Sequence, residues 1–201
     1  MVANIPYYLT SRLIRLLLER QSRPELMVLM VQREVAERII AKPPRMNLLA
    51  LSVQFYGTPE LVARVPAGAF QPPPKVESAI IKIRPYAYRH CAAAEGDRRS
   101  NLAAITNTAG LPRPRPTRAR NDVRAQLFFT LVRAGFGQKR KTLLNNLTHG
   151  LKKPKAEIEA LFKAAGIPPS SRAQTLTLLD WLRLVNTTQE HDAPPAAIDA
   201  D

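Results

Sequence analysis

Cysteine and long apolar runs are almost absent from this sequence. Cys91 is the single cysteine among 201 residues, which excludes an internal disulfide and a cysteine-rich metal site. The longest apolar run covers only residues 26–31, whereas a membrane-spanning helix needs roughly 20 such residues. The first residues also lack the basic and then apolar order of a signal peptide. We therefore expect a cytoplasmic protein without a membrane-spanning segment.

Acidic residues are scarce relative to basic ones. The chain has 16 Asp and Glu against 30 Lys and Arg, so its formal charge at pH 7 is +14. Such an excess favours an anionic partner, with nucleic acid ahead of an acidic membrane surface, although it can also serve solubility alone. Hydrophobic residues make up 45% of the chain, which is typical of a globular protein with a packed core.

Residues 1–85 have the hydrophobic periodicity of an α/β fold. Residues 9–20 predict an amphipathic helix whose core face carries four leucines, Leu9, Leu13, Leu16 and Leu17. The unbroken apolar run at 26–32 is typical of a strand that is buried on both faces of a parallel sheet. The remaining predicted elements are helices over 34–41 and 47–56 and strands over 60–65 and 76–84.

The rest of the chain changes character twice. Residues 86–122 are rich in Ala, Arg and Pro, and their alternating prolines predict a disordered linker or insertion. Apolar positions at helical spacing return over 123–188 and predict a small all-α domain of about four helices, with Trp181 in its core. The acidic, alanine-rich residues 189–201 predict a disordered tail.

Two loops that combine prolines with aromatic residues are candidates for chemistry. The first, Asn4-Ile-Pro-Tyr-Tyr8, stands between a predicted strand end and a helix, where ligands bind in open α/β sheets. An amide, a carbonyl and an aromatic face match adenine, whose exocyclic amine needs two acceptors and whose ring needs a stacking partner. The alternative is a β-turn in which Pro6 fixes the backbone and the tyrosines pack.

The second loop, Phe70-Gln-Pro-Pro-Pro-Lys-Val-Glu-Ser78, contains three consecutive prolines. Because prolines stiffen the backbone, the loop can hold Phe70 at the rim of a pocket with little conformational entropy to lose. Lys75 could meet a phosphate. The alternative is a rigid connection that leads into the next strand.

Basic residues are concentrated between Arg133 and Lys155, with no acidic residue among them. This concentration predicts a surface that binds phosphates, although most charge runs are solvated helix faces. The candidate RNA-binding residues are Arg133, Lys139, Arg140, Lys141, Lys152 and Lys153. The histidines are scattered without the spacing of metal ligands, so we predict no metal site.

Five segments form an ordered set of motifs. They are Asn4-Ile-Pro-Tyr7, Val31-Gln-Arg-Glu-Val-Ala-Glu-Arg38, Leu51-Ser-Val-Gln54, Phe70-Gln-Pro-Pro-Pro-Lys-Val-Glu-Ser78 and Phe136-Gly-Gln-Lys-Arg-Lys-Thr-Leu-Leu-Asn-Asn-Leu147. By these motifs the chain resembles bacterial small-subunit rRNA adenine dimethyltransferases of the kasugamycin-resistance type, over residues 2–85 and 123–186. The resemblance implies the C-terminal half of a Rossmann-like methyltransferase domain, followed by a small all-α domain.

The resemblance also implies roles for particular residues. The Asn4 side chain and the Pro6 carbonyl would accept hydrogen bonds from the target amine, and Tyr7 and Phe70 would enclose the flipped base. Asn4 would border the cofactor S-adenosylmethionine as well. The helical domain would dock on small-subunit rRNA of the immature small ribosomal subunit, where the family dimethylates two adjacent adenines near the 3′ end. We expect a monomer.

The chain departs from the family pattern before its first motif. In the family, a glycine-rich loop and acidic residues that bind S-adenosylmethionine precede the Asn-Ile-Pro-Tyr motif, which begins here at Asn4. We therefore expect a chain that lacks the N-terminal cofactor-binding half, with no glycine cluster to substitute for it. Such a chain would be inactive by itself. The alternative function is a non-catalytic rRNA-binding or ribosome-assembly module.

Overall fold

The structure, a computed structural model, describes residues 1–20, 23–86 and 118–192. The chain divides within its fourth helix into two compact units, Met1–Val123 and Arg124–Asp201, and each is described by itself. Most of the predicted linker and the end of the predicted tail lie outside the described residues.

The described part of the first unit contains a four-stranded mixed sheet and three α-helices. The strands are β1 (Val2–Asn4), β2 (Met27–Gln32), β3 (Gly57–Val65) and β4 (Ser78–Pro85). The helices are α1 (Thr10–Glu19), α2 (Arg33–Ile39) and α3 (Leu48–Tyr56). In the order β1-β2-β4-β3, β1 and β2 are parallel, and β4 runs antiparallel to β2 and β3. The predicted α/β fold is confirmed.

The two faces of this sheet are covered unequally. Alternate residues of β2 and β4 form a fully buried face made of Met27, Leu29, Val31, Ala79, Ile81 and Ile83. On the other face Val28 and Met30 are half-buried, and Val2, which is paired with Val28, is 82% exposed. The prediction of a strand buried on both faces of a parallel sheet was therefore wrong. One neighbour of β2 is antiparallel, and only one of its faces is fully covered.

Helix α1 buries a different side from the predicted one. Ile14 and Leu18 are fully buried and Thr10 nearly so, whereas Leu16 is 49% exposed and Leu9 is 37% exposed. The buried residues recur every four positions and face α3, against which α1 packs. The predicted core face was wrong because two adjacent stripes of this helix are apolar, and periodicity alone cannot decide which one is covered.

Two side-chain amides tie α2 to α3. Asn47 caps α3 by accepting the Ala50 N–H at 3.0 Å, and its amide donates to the Arg38 carbonyl at 2.9 Å. The Gln54 amide donates to the carbonyls of Ile39 and Ala41, at 3.1 and 2.9 Å. Two of the five motifs, 31–38 and 51–54, therefore have a structural role in which the end of one helix is held by the next.

The second unit is a bundle formed by α4 (Arg118–Gly135), α5 (Leu143–Leu151), α6 (Lys155–Ala165) and α7 (Leu178–Asp192). These four helices, within the described residues, agree with the prediction. Helix α4 begins inside the predicted linker, and α7 continues through residues 189–192, where the sequence predicted a disordered tail. A reciprocal pair of hydrogen bonds between Thr177 and Asp180 starts α7.

Large aromatic side chains fill the centre of this bundle. Trp181, Phe128 and Phe162 are each completely buried, which confirms Trp181 as a core residue. The Phe136 ring stacks on Trp181 with 6.0 Å between centroids. Gly135 is required at this contact, since a Cβ there would lie 2.5 Å from the Trp181 ring and 2.6 Å from the Leu143 side chain.

Candidate functional site

The two proline-and-aromatic loops leave the sheet at the same edge. Asn4 is the last residue of β1 and is paired with Met30 of the parallel strand β2. At the end of β2, Gln32 is paired with Ser78, the first residue of β4. Ser78 is in turn paired with Val65, the last residue of β3. The loop after β1 and the β3–β4 loop therefore emerge together, at the carboxyl end of the two parallel strands.

A hydrogen bond joins these loops directly. The Tyr7 hydroxyl lies 2.8 Å from the Ser78 hydroxyl, which belongs to a completely buried residue. Tyr7 itself is half-buried, so part of the residue remains accessible. Sequence reasoning included Ser78 in a motif but assigned it no function. Its place as the last residue of that motif was the only indication.

The residues that precede Tyr7 present hydrogen-bond acceptors at the same edge. Asn4 and Pro6 are exposed, while Ile5 between them is only 3% exposed and anchors the segment in the core. The Pro6 carbonyl accepts the Leu9 N–H at 3.0 Å in the turn that leads into α1. A carbonyl oxygen has two lone pairs, so one remains available to a ligand.

The β3–β4 loop is anchored at its end and open in its middle. The Arg33 N–H donates to the Glu77 carbonyl at 3.0 Å, and its guanidinium pairs with the Glu77 carboxylate at 2.6 Å. Phe70 is half-buried and Lys75 is exposed. Among the described residues there is no ring contact between Phe70 and Tyr7. The structure thus brings the two aromatic residues to one sheet edge without stacking them on each other.

The connection between α4 and α5 carries the densest exposed positive charge of the predicted set. Lys139, Arg140 and Lys141 are all exposed, and no carboxylate pairs with them in the described part of the chain. Arg133 and Lys152 are exposed as well. Arg133 directly precedes Ala134, and Lys152 lies two residues after Gly150. These two helix positions meet, because a Cβ on Gly150 would lie only 2.6 Å from that of Ala134. We call Arg133, Lys139, Arg140, Lys141 and Lys152 the basic surface.

Lys153 does not belong with this group. It is half-buried, and its ammonium pairs with the Glu157 carboxylate at 2.5 Å. Lys155 pairs in the same way with Glu159 at 3.5 Å. The sequence from Arg133 to Lys155 contains no acidic residue. In the structure, however, Glu157 and Glu159 of α6 pair with the last two lysines of that range. Lys153 therefore has a carboxylate partner one helical turn away, and its contact with RNA stays a prediction.

Comparisons with known proteins agree with the motifs. The family model "Ribosomal RNA adenine dimethylase" matches residues 1–95. The chain is 44% identical over 185 residues to ribosomal RNA small subunit methyltransferase A of Dehalococcoides mccartyi, covering 92% of this chain and 53% of that protein. Residues 1–95 therefore match the ribosomal RNA adenine dimethylase family. A second relative, the protein of the same name from Geobacillus thermodenitrificans, is 36% identical over 190 residues. The match covers 92% of this chain and 55% of that protein. The chain thus spans about half the length of the curated relatives it matches.

Solved structures support the same fold. A dimethyladenosine transferase from Plasmodium falciparum superposes with a TM-score of 0.65 at 25% identity, over 94% of this chain and 66% of that one. The 23S rRNA methyltransferase ErmE superposes with a TM-score of 0.60 at 22% identity, over 92% of this chain and 63% of that one. At that identity, the likeness to ErmE concerns the fold alone.

The residues that the structure describes do not form a complete site for S-adenosylmethionine. The first 56 residues contain no glycine, so no glycine-rich loop follows β1 or β2. Gly135 and Gly137 do have Gly-x-Gly spacing, contrary to the sequence expectation. However, Gly135 ends α4 and makes room for Trp181, and Gly137 lies two residues beyond that helix end. Asn4 is the one predicted cofactor-bordering residue at the sheet edge.

Two further observations apply to the described residues. Within ranges 1–20, 23–86 and 118–192, no three His, Cys, Asp or Glu side chains come together as a metal site would require. No helix in that part of the chain has the length and apolar character needed to cross a membrane.

Proposed function

We propose that this chain provides the target-base loops and the RNA-binding helical unit of an rRNA adenine dimethyltransferase. The observation that carries the proposal is the hydrogen bond between Tyr7 and Ser78, because it joins the two motif loops at one sheet edge. The substrate is the exocyclic amine of two adjacent adenines near the 3′ end of small-subunit rRNA. The protein acts as a monomer on the immature small subunit in the cytoplasm.

The loop after β1 holds and orients the target amine. The Asn4 side-chain oxygen and the free lone pair of the Pro6 carbonyl accept its two N–H bonds, which fixes the direction of the nitrogen lone pair. These acceptors also stabilise the positive charge that develops on the nitrogen as it is methylated. Tyr7 and Phe70 approach the flipped base from separate loops and contact its faces.

The basic surface provides affinity for the RNA backbone. Lysine and arginine side chains that neutralise phosphates release counterions, so binding weakens steeply as salt is added. Its cations have no carboxylate partners among the described residues and are free to make such contacts. Lys75 adds a cation beside the base-binding loops. We assign phosphate contacts to Lys75 and to the basic surface.

RNA binding is tested with the chain as it is. Replacement of Lys139, Arg140 and Lys141 by Gln should weaken binding of the 3′-terminal rRNA hairpin about 100-fold and lower the salt slope by about 2 to 3. The matched control replaces Arg12, Arg64 and Lys163 by Gln, which removes the same charge from exposed positions elsewhere. An equal loss in both triple variants would mean that overall charge, and not this surface, binds the RNA.

The base-orienting residues are tested in a chimera. The N-terminal part of the Dehalococcoides relative is joined ahead of residue 1, and methylation of the rRNA is followed. Asn4→Ala should lower the methylation rate about 100-fold or more, because the amine loses its orientation, and should leave RNA affinity unchanged. Phe70→Ala should weaken the flipped-base state by about 1–3 kcal/mol of stacking. A fully active Asn4→Ala chimera would contradict the proposed role.

A second candidate function is a non-catalytic rRNA-binding module. The observation that favours it is the lack of glycine in the first 56 residues, which leaves no loop for S-adenosylmethionine in this chain. Both functions require RNA binding, and neither gives this chain a complete S-adenosylmethionine site, so methylation of rRNA by the chimera separates them. In calorimetry we expect negligible S-adenosylmethionine binding to the unmodified chain, and micromolar binding would indicate a chain that is catalytic by itself.

A further inference from the structure

One buried amide holds the turn that carries the basic residues between α4 and α5. Asn146 is 6% exposed, and its side-chain nitrogen donates to the Gly135 carbonyl at 2.6 Å and to the Gln138 carbonyl at 3.0 Å. A primary amide carries two N–H donors, and here each has its own acceptor. The bond to Gly135 holds the last residue of α4, and the bond to Gln138 holds the start of the basic turn.

The Gln138 carbonyl is the centre of this arrangement. It accepts a second hydrogen bond, at 3.3 Å, from the backbone N–H of Lys141, and this bond closes the turn around Lys139 and Arg140. Upstream, the Gly137 N–H donates to the Ala134 carbonyl at 3.1 Å. The backbone between α4 and the three cations is therefore fixed by a series of short local bonds, of which Asn146 supplies two.

Asn146 is itself held rigidly on α5. Its backbone N–H donates to the Thr142 carbonyl at 3.1 Å, and the Thr142 hydroxyl caps the helix by accepting the Asn145 N–H. The flanking residue Leu147 and the nearby Leu143 are buried in the bundle core. The amide therefore transmits the position of a packed helix to a surface turn.

We infer that Asn146 is a positioning residue for RNA binding, which holds Lys139, Arg140 and Lys141 in the arrangement that meets the phosphates. The inference rests on the proposed function of the basic surface. Long cationic side chains on an unrestrained turn must be ordered when RNA binds, and that ordering weakens the interaction. A turn that is already fixed avoids this loss, so Asn146 raises RNA affinity without touching RNA.

A double-mutant cycle separates positioning from a general effect on folding. Affinity for the labelled 3′-terminal hairpin of small-subunit rRNA is measured for Asn146→Ala in two backgrounds, the unmodified chain and the triple Gln variant of Lys139, Arg140 and Lys141. If Asn146 acts through these cations, its loss lowers affinity about tenfold in the first background and less than about twofold in the second. Equal factors in both backgrounds would overturn the inference.

Leu161→Ala is the matched control, because it removes a buried side chain of α6 and leaves the turn and its hydrogen bonds in place. It destabilises the bundle, so any loss of affinity should be the same in both backgrounds. If Asn146→Ala does not fold, Asn146→Ser is used in the same cycle. Its single hydroxyl can bond only one of the two carbonyls, and the absence of coupling there would also overturn the inference. An unmodified chain that does not bind the hairpin would refute the RNA-binding function itself.

Discussion

The two units of this chain differ in how completely they cover their apolar residues. The helical unit surrounds Trp181 and Phe162 on all sides, and both side chains are completely buried. The sheet unit has one fully buried sheet face and one half-exposed face, with Val2 of β1 at 82% exposure and Leu16 of α1 at 49%. We call the helical unit closed, because its central aromatic side chains are completely buried, and the sheet unit open, because one face of its sheet is partly exposed.

This difference matches the chemistry of each unit. The base-binding residues lie at a sheet edge, where the loop ends can approach a ligand and where Asn4 and Pro6 are exposed. The basic surface lies on a bundle whose core is complete, and Asn146 links that core to the basic turn. The helical unit therefore carries its own scaffold, whereas the sheet unit exposes apolar surface that a stable globular fold would cover.

The largest effect should come from Trp181→Ala, which opens the closed core. Loss of a buried tryptophan costs about 3–5 kcal/mol in folding free energy. Hydrogen exchange should show that α5 to α7 lose protection while β2 and β4 keep theirs. Trp181→Phe should cost less, since it retains a ring and removes an indole N–H that has no acceptor among the described residues. Equal loss of protection in both units would contradict the expectation that the core of the helical unit is independent of the sheet unit.

The next largest contrast lies within one helix of the open unit. Ile14→Ala removes a fully buried side chain of α1 and should cost about 2–4 kcal/mol. Leu16→Ala removes a half-exposed one two residues away and should change stability by less than about 0.5 kcal/mol. Urea unfolding of the two variants measures the difference. Similar losses would show that the leucine stripe of α1 is covered after all.

Helix α1 also shows where prediction from sequence ends. Its existence and length followed from periodicity, but two apolar stripes lie side by side, and only tertiary packing selected Ile14 and Leu18 over Leu9 and Leu16. Strand β2 was predicted from its apolar run, yet the antiparallel neighbour could not be inferred, because pairing direction depends on chain connection and not on local composition. Elements were predictable, and their partners were not.

The candidate site also contains residues that could be predicted from sequence and residues that could not. Asn4, Tyr7 and Phe70 were identified from motifs, since those residue types have recognisable chemistry. Ser78 and Asn146 were not, because their importance comes from contacts 71 and 8–11 residues away. The ion pair of Lys153 was missed for the same reason, because its partner Glu157 lies just outside the window of sequence that contains the basic residues.

Replacement of a glycine by alanine in each unit should have a smaller effect on stability. A Cβ on Gly150 would lie 2.6 Å from the Ala134 Cβ, where α5 meets α4, whereas one on Gly68 would have no atom within 4 Å. Overpacking costs about 1–3 kcal/mol, and replacing a helical glycine by alanine returns up to about 1 kcal/mol. Gly150→Ala should therefore destabilise by about 1–2 kcal/mol, and Gly68→Ala should be near neutral in the same thermal unfolding measurement.

The smallest effect concerns an exposed ion pair on the open sheet. Glu60 and Lys82 face each other across β3 and β4 with 2.7 Å between carboxylate and ammonium. The hydrogen bond from Lys82, then its charge, and more weakly the charge of Arg84, hold the pKa of Glu60 below its ordinary value of 4.5. A lowered pKa in the folded state stabilises the protein above the unfolded-state pKa, and this contribution is lost as pH falls through the folded-state pKa. Because the pair is exposed, the contribution is small.

Lys82→Met should therefore raise the pKa of Glu60 toward 4.5, and an NMR titration of the Glu60 side-chain carboxyl carbon measures this directly. Arg84→Met is the graded control and should raise the pKa less, because Arg84 acts only through charge. The unfolding free energy of the Lys82→Met variant should also depend less on pH in the acidic range than that of the unmodified chain, since the linkage to Glu60 is removed. An unchanged pKa in Lys82→Met would mean that the ion pair does not persist in solution.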